Sequence, residues 1–166
     1  MQKEVTRSFI ESISEVFGNM LDCSVQLKKE KADNLYKDNS FVIGVIGLSG
    51  TAQAVIALSF SEQAALKTVG QMAGCEYDSI DSTVADGVGE LVNMIVGNAK
   101  AKLESHSLSI SLPSVFKGNL CKIQWPVGVD YFDIHFTSKY GDFNLAVAFK
   151  EMVPGKKEVM NVNTGS

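Results

Sequence analysis

Residues that build metal centres and covalent cross-links are scarce in this 166-residue chain. Its three cysteines, Cys23, Cys75 and Cys121, are far apart, odd in number and contain no Cys-x-x-Cys pair, which argues against a disulfide framework or a zinc site. Of its two histidines, His135 falls on the polar side of an alternating run and His106 near the end of a helical one. No spacing joins them as metal ligands or as part of a Ser-His-Asp triad, so both are expected at the surface. Gly47, Gly50, Gly87 and Gly89 are followed by no Gly-Lys-Ser/Thr, which removes a phosphate loop and nucleotide binding with it. Ser61 and Ser82 stand where helix caps are needed and are read as caps before nucleophiles.

Positive charge is also in short supply. Lysine and arginine number 15 against 19 acids, a formal net charge of -4, and the short basic patches at 28–31 and 156–157 are interrupted by or adjoin acids. A phosphate-tracking surface needs clustered cations, so no nucleic-acid partner is expected. No apolar run approaches the ~20 residues that span a bilayer, and the N-terminal MQKEVTRSFIESI lacks the apolar core of a signal peptide. No membrane partner is expected and the cytoplasm is the expected compartment. What remains is 45% hydrophobic and 20% charged, enough for one ordinary core. We expect one domain over 1–153 and a mobile, polar tail over 154–166.

Along the chain, Val5, Phe9, Ile10, Ile13, Val16, Phe17, Met20 and Leu21 recur at helical spacing and predict a first amphipathic helix. Alternation over 24–30 predicts a strand, and the polar 31–40 a loop. The runs 41–48 and 51–60 read as strands joined by a tight hairpin at Ser49-Gly50. Ser61 is a plausible N-cap for a short helix that Gly74 closes. A polar connector offering Asp81 or Ser82 as caps leads into a second long helix. Runs 107–113, 121–127 and 129–138 alternate apolar and polar residues as half-buried strands do; a turn at 140–142 leads to a last strand over 143–150. The order predicts an α+β fold, an antiparallel sheet with two long amphipathic helices packed on it.

The second long helix draws the most attention. At about 100° per residue, Val84, Val88, Leu91, Val92, Ile95, Val96, Ala99 and Leu103 occupy an arc of about 140°. Glu90 and Asn93 lie opposite, one turn apart and able to touch one partner, with Asp86, Gly97, Lys100 and Glu104 beside them. Asparagine is a poor interior helix residue because its amide competes for backbone partners. Here it stands within two turns of Gly87, Gly89 and Gly97. These unfavourable helix choices point to a site, Gly97 being a place where something approaches the backbone closely.

The chain also contains an internal repeat. Laying the first helix on the second with Glu11 on Glu90 sets Ile13 on Val92, Val16 on Ile95, Phe17 on Val96, Gly18 on Gly97 and Asn19 on Asn98. Each helix is followed by a strand and then by a hairpin, with tips at Gly50 and Gly141, so two pseudo-symmetric, duplicated half-domains are predicted. The position of Asn93 is taken by Ser14. A carboxamide neither donates nor accepts protons at neutral pH but orients a water through its oxygen and NH₂. That suits an electrophile already activated, as in phosphoryl transfer, where placement and charge neutralisation dominate.

The pattern Glu-x-x-Asn-x-x-x-Gly-x-Ala-x-x-x-Leu, here Glu90, Asn93, Gly97, Ala99 and Leu103, resembles the signature helix of the CheC, CheX and FliY phosphatases of bacterial chemotaxis, and the likeness runs from the first helix to the last strand. With Ser14 in the first helix the chain is CheX-like, one site and not two. The resemblance implies a CheC-like fold and hydrolysis of the phospho-aspartate on a CheY-like receiver domain. Asn93 would align the attacking water and Glu90 pair with a receiver lysine, with Asp86, Gly97 and Lys100 on the docking face. It further implies no metal or cofactor bound by this chain, Mg²⁺ held by the receiver, and a homodimer formed through sheet edges. The alternative is a non-catalytic receiver-binding or motor-associated interaction module using the same helix.

Overall fold

The computed structural model describes residues 2–28, 41–104, 106–118, 125 and 128–152. The expected loop over 31–40, the strand over 121–127 apart from Trp125, and the tail over 154–166 lie outside them. Three helices, α1 (Gln2–Leu21), α2 (Glu62–Ala73) and α3 (Ser82–Lys102), combine with strands β1 (Gln26–Leu27), β2 (Phe41–Gly50), β3 (Ala52–Ser61), β4 (Leu108–Ile110), β5 (Ser114–Gly118), β6 (Asp130–Ser138) and β7 (Gly141–Glu151). The strands form one seven-stranded sheet in the order β1-β6-β7-β3-β2-β4, with β5 also on β2. Every pairing among the described residues is antiparallel.

That order carries the predicted pseudo-symmetry. Exchanging β1 with β4, β2 with β6 and β3 with β7 reproduces the same sheet read from its other edge. Two hairpins meet at the central β3–β7 ladder, and each half lends its short first strand to the hairpin of the other. The hairpin tips agree as well. Gly50 has φ 137° and Gly141 φ 130°, a region that L side chains rarely adopt. At Gly50 a Cβ would also stand 2.0 Å from the Ser107 carbonyl oxygen.

Alternation decides which side of the sheet is covered. Val42, Ile46, Leu48, Ile56, Leu58, Phe60, Phe143, Leu145 and Val147 point to the helices and join their buried residues in one core. Phe17, Phe136 and Phe143 stack at its centre, with ring centroids 4.7 and 5.1 Å apart. A smaller cluster of Phe41, Ile43, Ala57 and Ala146 occupies the opposite face. Val5 and Phe9 of α1 share a small cavity with Leu103 and His106, and Lys102 pairs with Glu15 at 2.8 Å. The end of α3 thus lies alongside α1, between Val5 and Glu15.

The capping residues behave as the sequence predicts. Ala64 N–H donates to Ser61 Oγ at 3.2 Å, Gly74 closes α2 in the left-handed conformation, and of the two candidates Asp81 caps α3, accepting from Val84 N–H at 2.9 Å. Elsewhere the structure departs from the expectations. Met20 is 50% exposed, whereas Ser8 and Ser12 are buried, made tolerable by hydroxyls that donate to the carbonyls of Glu4 and Ser8. Of the strand expected over 24–30, Gln26 and Leu27 pair with Thr137 and Phe136 of β6 and Lys28 N–H donates to the His135 carbonyl at 2.8 Å, while 29 and 30 lie outside the described residues. The turn before the last strand falls at Lys139–Tyr140, one residue early.

The run 107–113 is broken. It leaves the ladder after Ile110 and rejoins β2 as β5, which the sequence reading did not anticipate. Proline at 113 has no N–H to offer a ladder. At the break, the Ser111 side chain takes the place of a backbone group: Gly47 N–H donates to Ser111 Oγ at 2.9 Å.

Candidate functional site

The apolar arc of α3 is buried as the periodicity requires: Val84, Val88, Leu91, Val92, Ile95, Val96 and Ala99 are fully covered. Beneath it, Gly44 of β2 lets Val88 and Val92 come close, since a Cβ there would meet both at 3.2 Å. Burial of that stripe fixes the rotation of the helix. The opposite face therefore presents Asp86 and Glu90 exposed, and Asn93, Gly97 and Lys100 half-buried. The structure brings all five sequence-predicted residues onto one side of one helix.

The three helix glycines, read together as a sign of a site, separate into two kinds. A Cβ on Gly87 would stand 2.5 Å from Val69 of α2, and one on Gly89 would meet Pro113 and Val115 at 3.5 Å. Gly87 and the buried Gly89 are thus packing glycines, small because another element lies on them. Only Gly97 has nothing within 4 Å of its would-be Cβ. No neighbour among the described residues accounts for its size.

Asn93 is half-buried and not fully exposed, as the helical wheel alone had placed it. Gly89 lies four residues before it on the same flank, so the flank that carries Asn93 is the one bordered by Pro113. Neither Asn93 nor Glu90 makes a side-chain hydrogen bond or ion pair with another described residue. Asp86 and Glu90, four apart and both acidic, make the N-terminal half of this face negative. A free carboxylate and a carboxamide with open donor and acceptor positions can orient a polar group brought to them from outside. Among the described residues they have no partner to give up.

The first helix shows what the same scaffold looks like without that freedom. Arg7, at the position of Asp86, donates to Glu11 at 2.7 Å. That hydrogen bond holds the Glu11 carboxyl below the ordinary carboxylate range, with the Arg7 charge contributing. Ser14, at the position of Asn93, donates to the Ile10 carbonyl at 3.0 Å. Gly18, matching Gly97, is likewise open.

The other candidates lie elsewhere. His106 and His135, expected at the surface, are both half-buried. His106 lines the cavity beside Val5 and Phe9, and His135 sits across the strand from the buried Asn144, its Nδ1 without a partner. A cavity of about 710 Å³ runs from Gln63, Lys67 and Gln71 of α2 to Cys75, Tyr77 and Tyr140, and includes none of the five site residues. Within it the Tyr77 phenol is raised above its usual value, chiefly by its hydrogen bond with Cys75. Sequence reasoning missed the β4–β5 connection as a neighbour of the site; Pro113, ending an alternating run, was the available signal.

The family model of the chemotaxis phosphatase CheX matches residues 42–137, a span containing all five residues of the α3 face. The CheY-P phosphatase CheX of Thermotoga maritima is 29% identical over 154 residues, covering 85% of this chain and 99% of that protein. The crystal structure of a CheC-like superfamily protein from Shewanella sp. PV-4 superposes with a TM-score of 0.79 at 29% identity, covering 90% of this chain and 99% of that one. A chain of the CheX-CheY-BeF3-Mg²⁺ complex of Borrelia burgdorferi shares the fold, with a TM-score of 0.70 at 22% identity, covering 88% of this chain and 97% of that one.

Proposed function

Because the chain belongs to the chemotaxis phosphatase CheX family, we propose that it accelerates hydrolysis of the phospho-aspartate on a CheY-like receiver domain, with Asn93 orienting the attacking water and Glu90 pairing with a receiver lysine. The observation that carries this reading is the pair of unengaged side chains on α3, set against their engaged counterparts on α1.

In this mechanism α3 docks on the receiver and Asn93 reaches the acyl phosphate. Its carboxamide oxygen accepts a hydrogen bond from water and so directs the water oxygen in line with the bond to be broken. The water oxygen bonds to phosphorus, the P–O bond to the aspartate breaks, and the carboxylate leaves as inorganic phosphate is released. No group on this chain needs to gain or lose a proton. Asn93 contributes placement alone, which is large where the nucleophile must lie close and aligned. Glu90 contributes charge pairing, with Asp86 and Lys100 flanking it and Gly97 leaving room for the receiver backbone. Magnesium, in this reading, belongs to the receiver; the Borrelia complex contains CheX, CheY and Mg²⁺ together. A homodimer belongs to the same proposal, and light scattering tests it.

Phosphate release from a phosphorylated receiver of the same organism, measured with and without the protein and with Asn93→Ala, is the direct test. The wild-type chain should accelerate release and Asn93→Ala should not. A variant as fast as wild type would remove Asn93 from its role. Binding without acceleration by the wild-type chain would leave an interaction module in place of an enzyme.

A further inference from the structure

At 90% exposure, Leu112 is the most exposed large apolar side chain among the described residues. Single exposed leucines on mobile loops are ordinary, but this one stands on a connection that is pinned. Ser111 N–H donates to the Gly47 carbonyl at 2.9 Å, Gly47 N–H donates back to Ser111 Oγ at 2.9 Å, and that hydroxyl donates to the Leu112 carbonyl at 3.0 Å. On the other side Pro113 lies against Gly89, where a Cβ would meet its ring at 3.5 Å. Proline fixes its own φ and restricts the residue before it to extended conformations. Leu112 is therefore held outward by both neighbours.

The place it is held at matters. Pro113 borders the flank of α3 that carries Asn93, and the residue after Gly89 is Glu90. The acids on that face steer and orient a cationic partner but supply little affinity, because exposed ion pairs are screened and solvated. Affinity at an interface comes mostly from a few apolar anchors buried on a rigid frame. An apolar side chain immobilised before docking, beside the polar pair, completes such an arrangement.

We propose that Leu112 is the apolar anchor of the receiver-docking surface, continuous with the Glu90 and Asn93 face and seated in an apolar depression of the receiver beside its phosphorylated site. This rests on the reading under Proposed function. The occupant is the receiver, because the anchor adjoins the flank of Asn93 through the contact of Pro113 with Gly89; a second copy paired along this edge of the sheet is the competing occupant that the test separates.

The test compares wild type, Leu112→Ser, Leu112→Asp and Asn93→Ala in steady-state dephosphorylation of a receiver, with oligomeric state followed by sedimentation. Leu112→Ser should raise KM roughly ten-fold, the loss of one buried leucine contact, with kcat at saturation unchanged. Leu112→Asp should raise it further, and Asn93→Ala should lower kcat instead. Because Leu112 is outside the core, both of its variants should melt with the wild type. Wild-type KM in Leu112→Ser, alongside normal turnover by the parent, overturns the anchor and leaves the phosphatase reading standing. A dimer that dissociates in Leu112→Ser while KM holds makes a second copy the occupant and overturns it too. A wild-type chain that accelerates dephosphorylation of no receiver overturns the anchor and the reading together.

Discussion

The outer faces of α1 and α3 are two versions of one surface. Both helices bury an apolar stripe against the same core, both carry a glutamate one turn before the Ser/Asn position, and both leave a glycine open one turn after it. They differ in what the polar groups do. On α1 the chain consumes them itself, Glu11 in the Arg7 ion pair and Ser14 on the Ile10 carbonyl. On α3 the corresponding groups are Asp86, Glu90 and Asn93, and no described residue engages Glu90 or Asn93. The difference between the two faces is hydrogen-bonding capacity, used within the fold on α1 and left open among the described residues on α3.

The largest effect should come from making α3 resemble α1 at its central position. Asn93→Ser keeps a small polar residue on the helix but removes the NH₂ and shortens the reach, and acceleration of receiver dephosphorylation should fall about 100-fold or more. Stopped-flow measurement of phosphorylated receiver decay reads this directly. A loss below three-fold would mean that the two faces do not differ where it counts.

Next come the two open glycines. Gly18→Leu and Gly97→Leu each replace a poor helix former where nothing lies within 4 Å, so each should raise stability by up to about 1 kcal/mol in thermal unfolding. Only Gly97→Leu should also raise KM, by roughly ten-fold, through a side chain placed between α3 and its partner. Equal kinetics for the two variants would make Gly97 as idle as Gly18. Gly87→Ala is the contrast within α3, since its Cβ would collide with Val69 and should cost about 1–3 kcal/mol.

That contrast marks how far the sequence could be read. The stripe from Val84 to Leu103 was legible because its period is local, and burial of that stripe settled which way Glu90 and Asp86 point. Caps at Ser61 and Asp81 and the tips at Gly50 and Gly141 were legible for the same reason. What the sequence could not distinguish was a glycine with another element packed against it from one with open space beside it. Val69 and Pro113 are brought to Gly87 and Gly89 only by tertiary packing. The pinned, exposed Leu112 was hidden likewise, since it stands on the connection that brings β5 beside β2, and SVFKG carries too little apolar alternation to announce a strand.

The paired acids give a smaller effect. Glu90→Lys should weaken receiver docking several-fold by placing like charges together, whereas Glu11→Lys should leave KM unchanged. Titration provides a second reading of the same difference. Glu11 is held below the ordinary carboxylate range by its hydrogen bond from Arg7, so the stability it lends α1 is present above the unfolded carboxylate pKa and is lost as pH falls through the lower folded value. In Arg7→Ala the Glu11 titration observed by NMR should move back up toward its ordinary position; an unmoved titration would mean the ion pair does not hold it.

Ser14 should give the smallest effect, and its smallness is informative. Its hydroxyl is exposed and returns to the Ile10 carbonyl of its own helix, a bond that competes with helix geometry more than it supports it. Ser14→Ala should therefore change stability by less than about 0.5 kcal/mol and leave phosphatase kinetics at the wild-type level. Ser14→Asn, placed in the Asn93→Ala background, asks the harder question of whether the carboxamide alone makes the site. It should restore less than roughly a tenth of wild-type activity, because Glu11 remains engaged by Arg7 where α3 has Asp86, and the buried Leu21 stands where α3 has Lys100. Full recovery from that single residue would show that the scaffold and one amide suffice, and that the ion pair on α1 has no part in keeping that face silent.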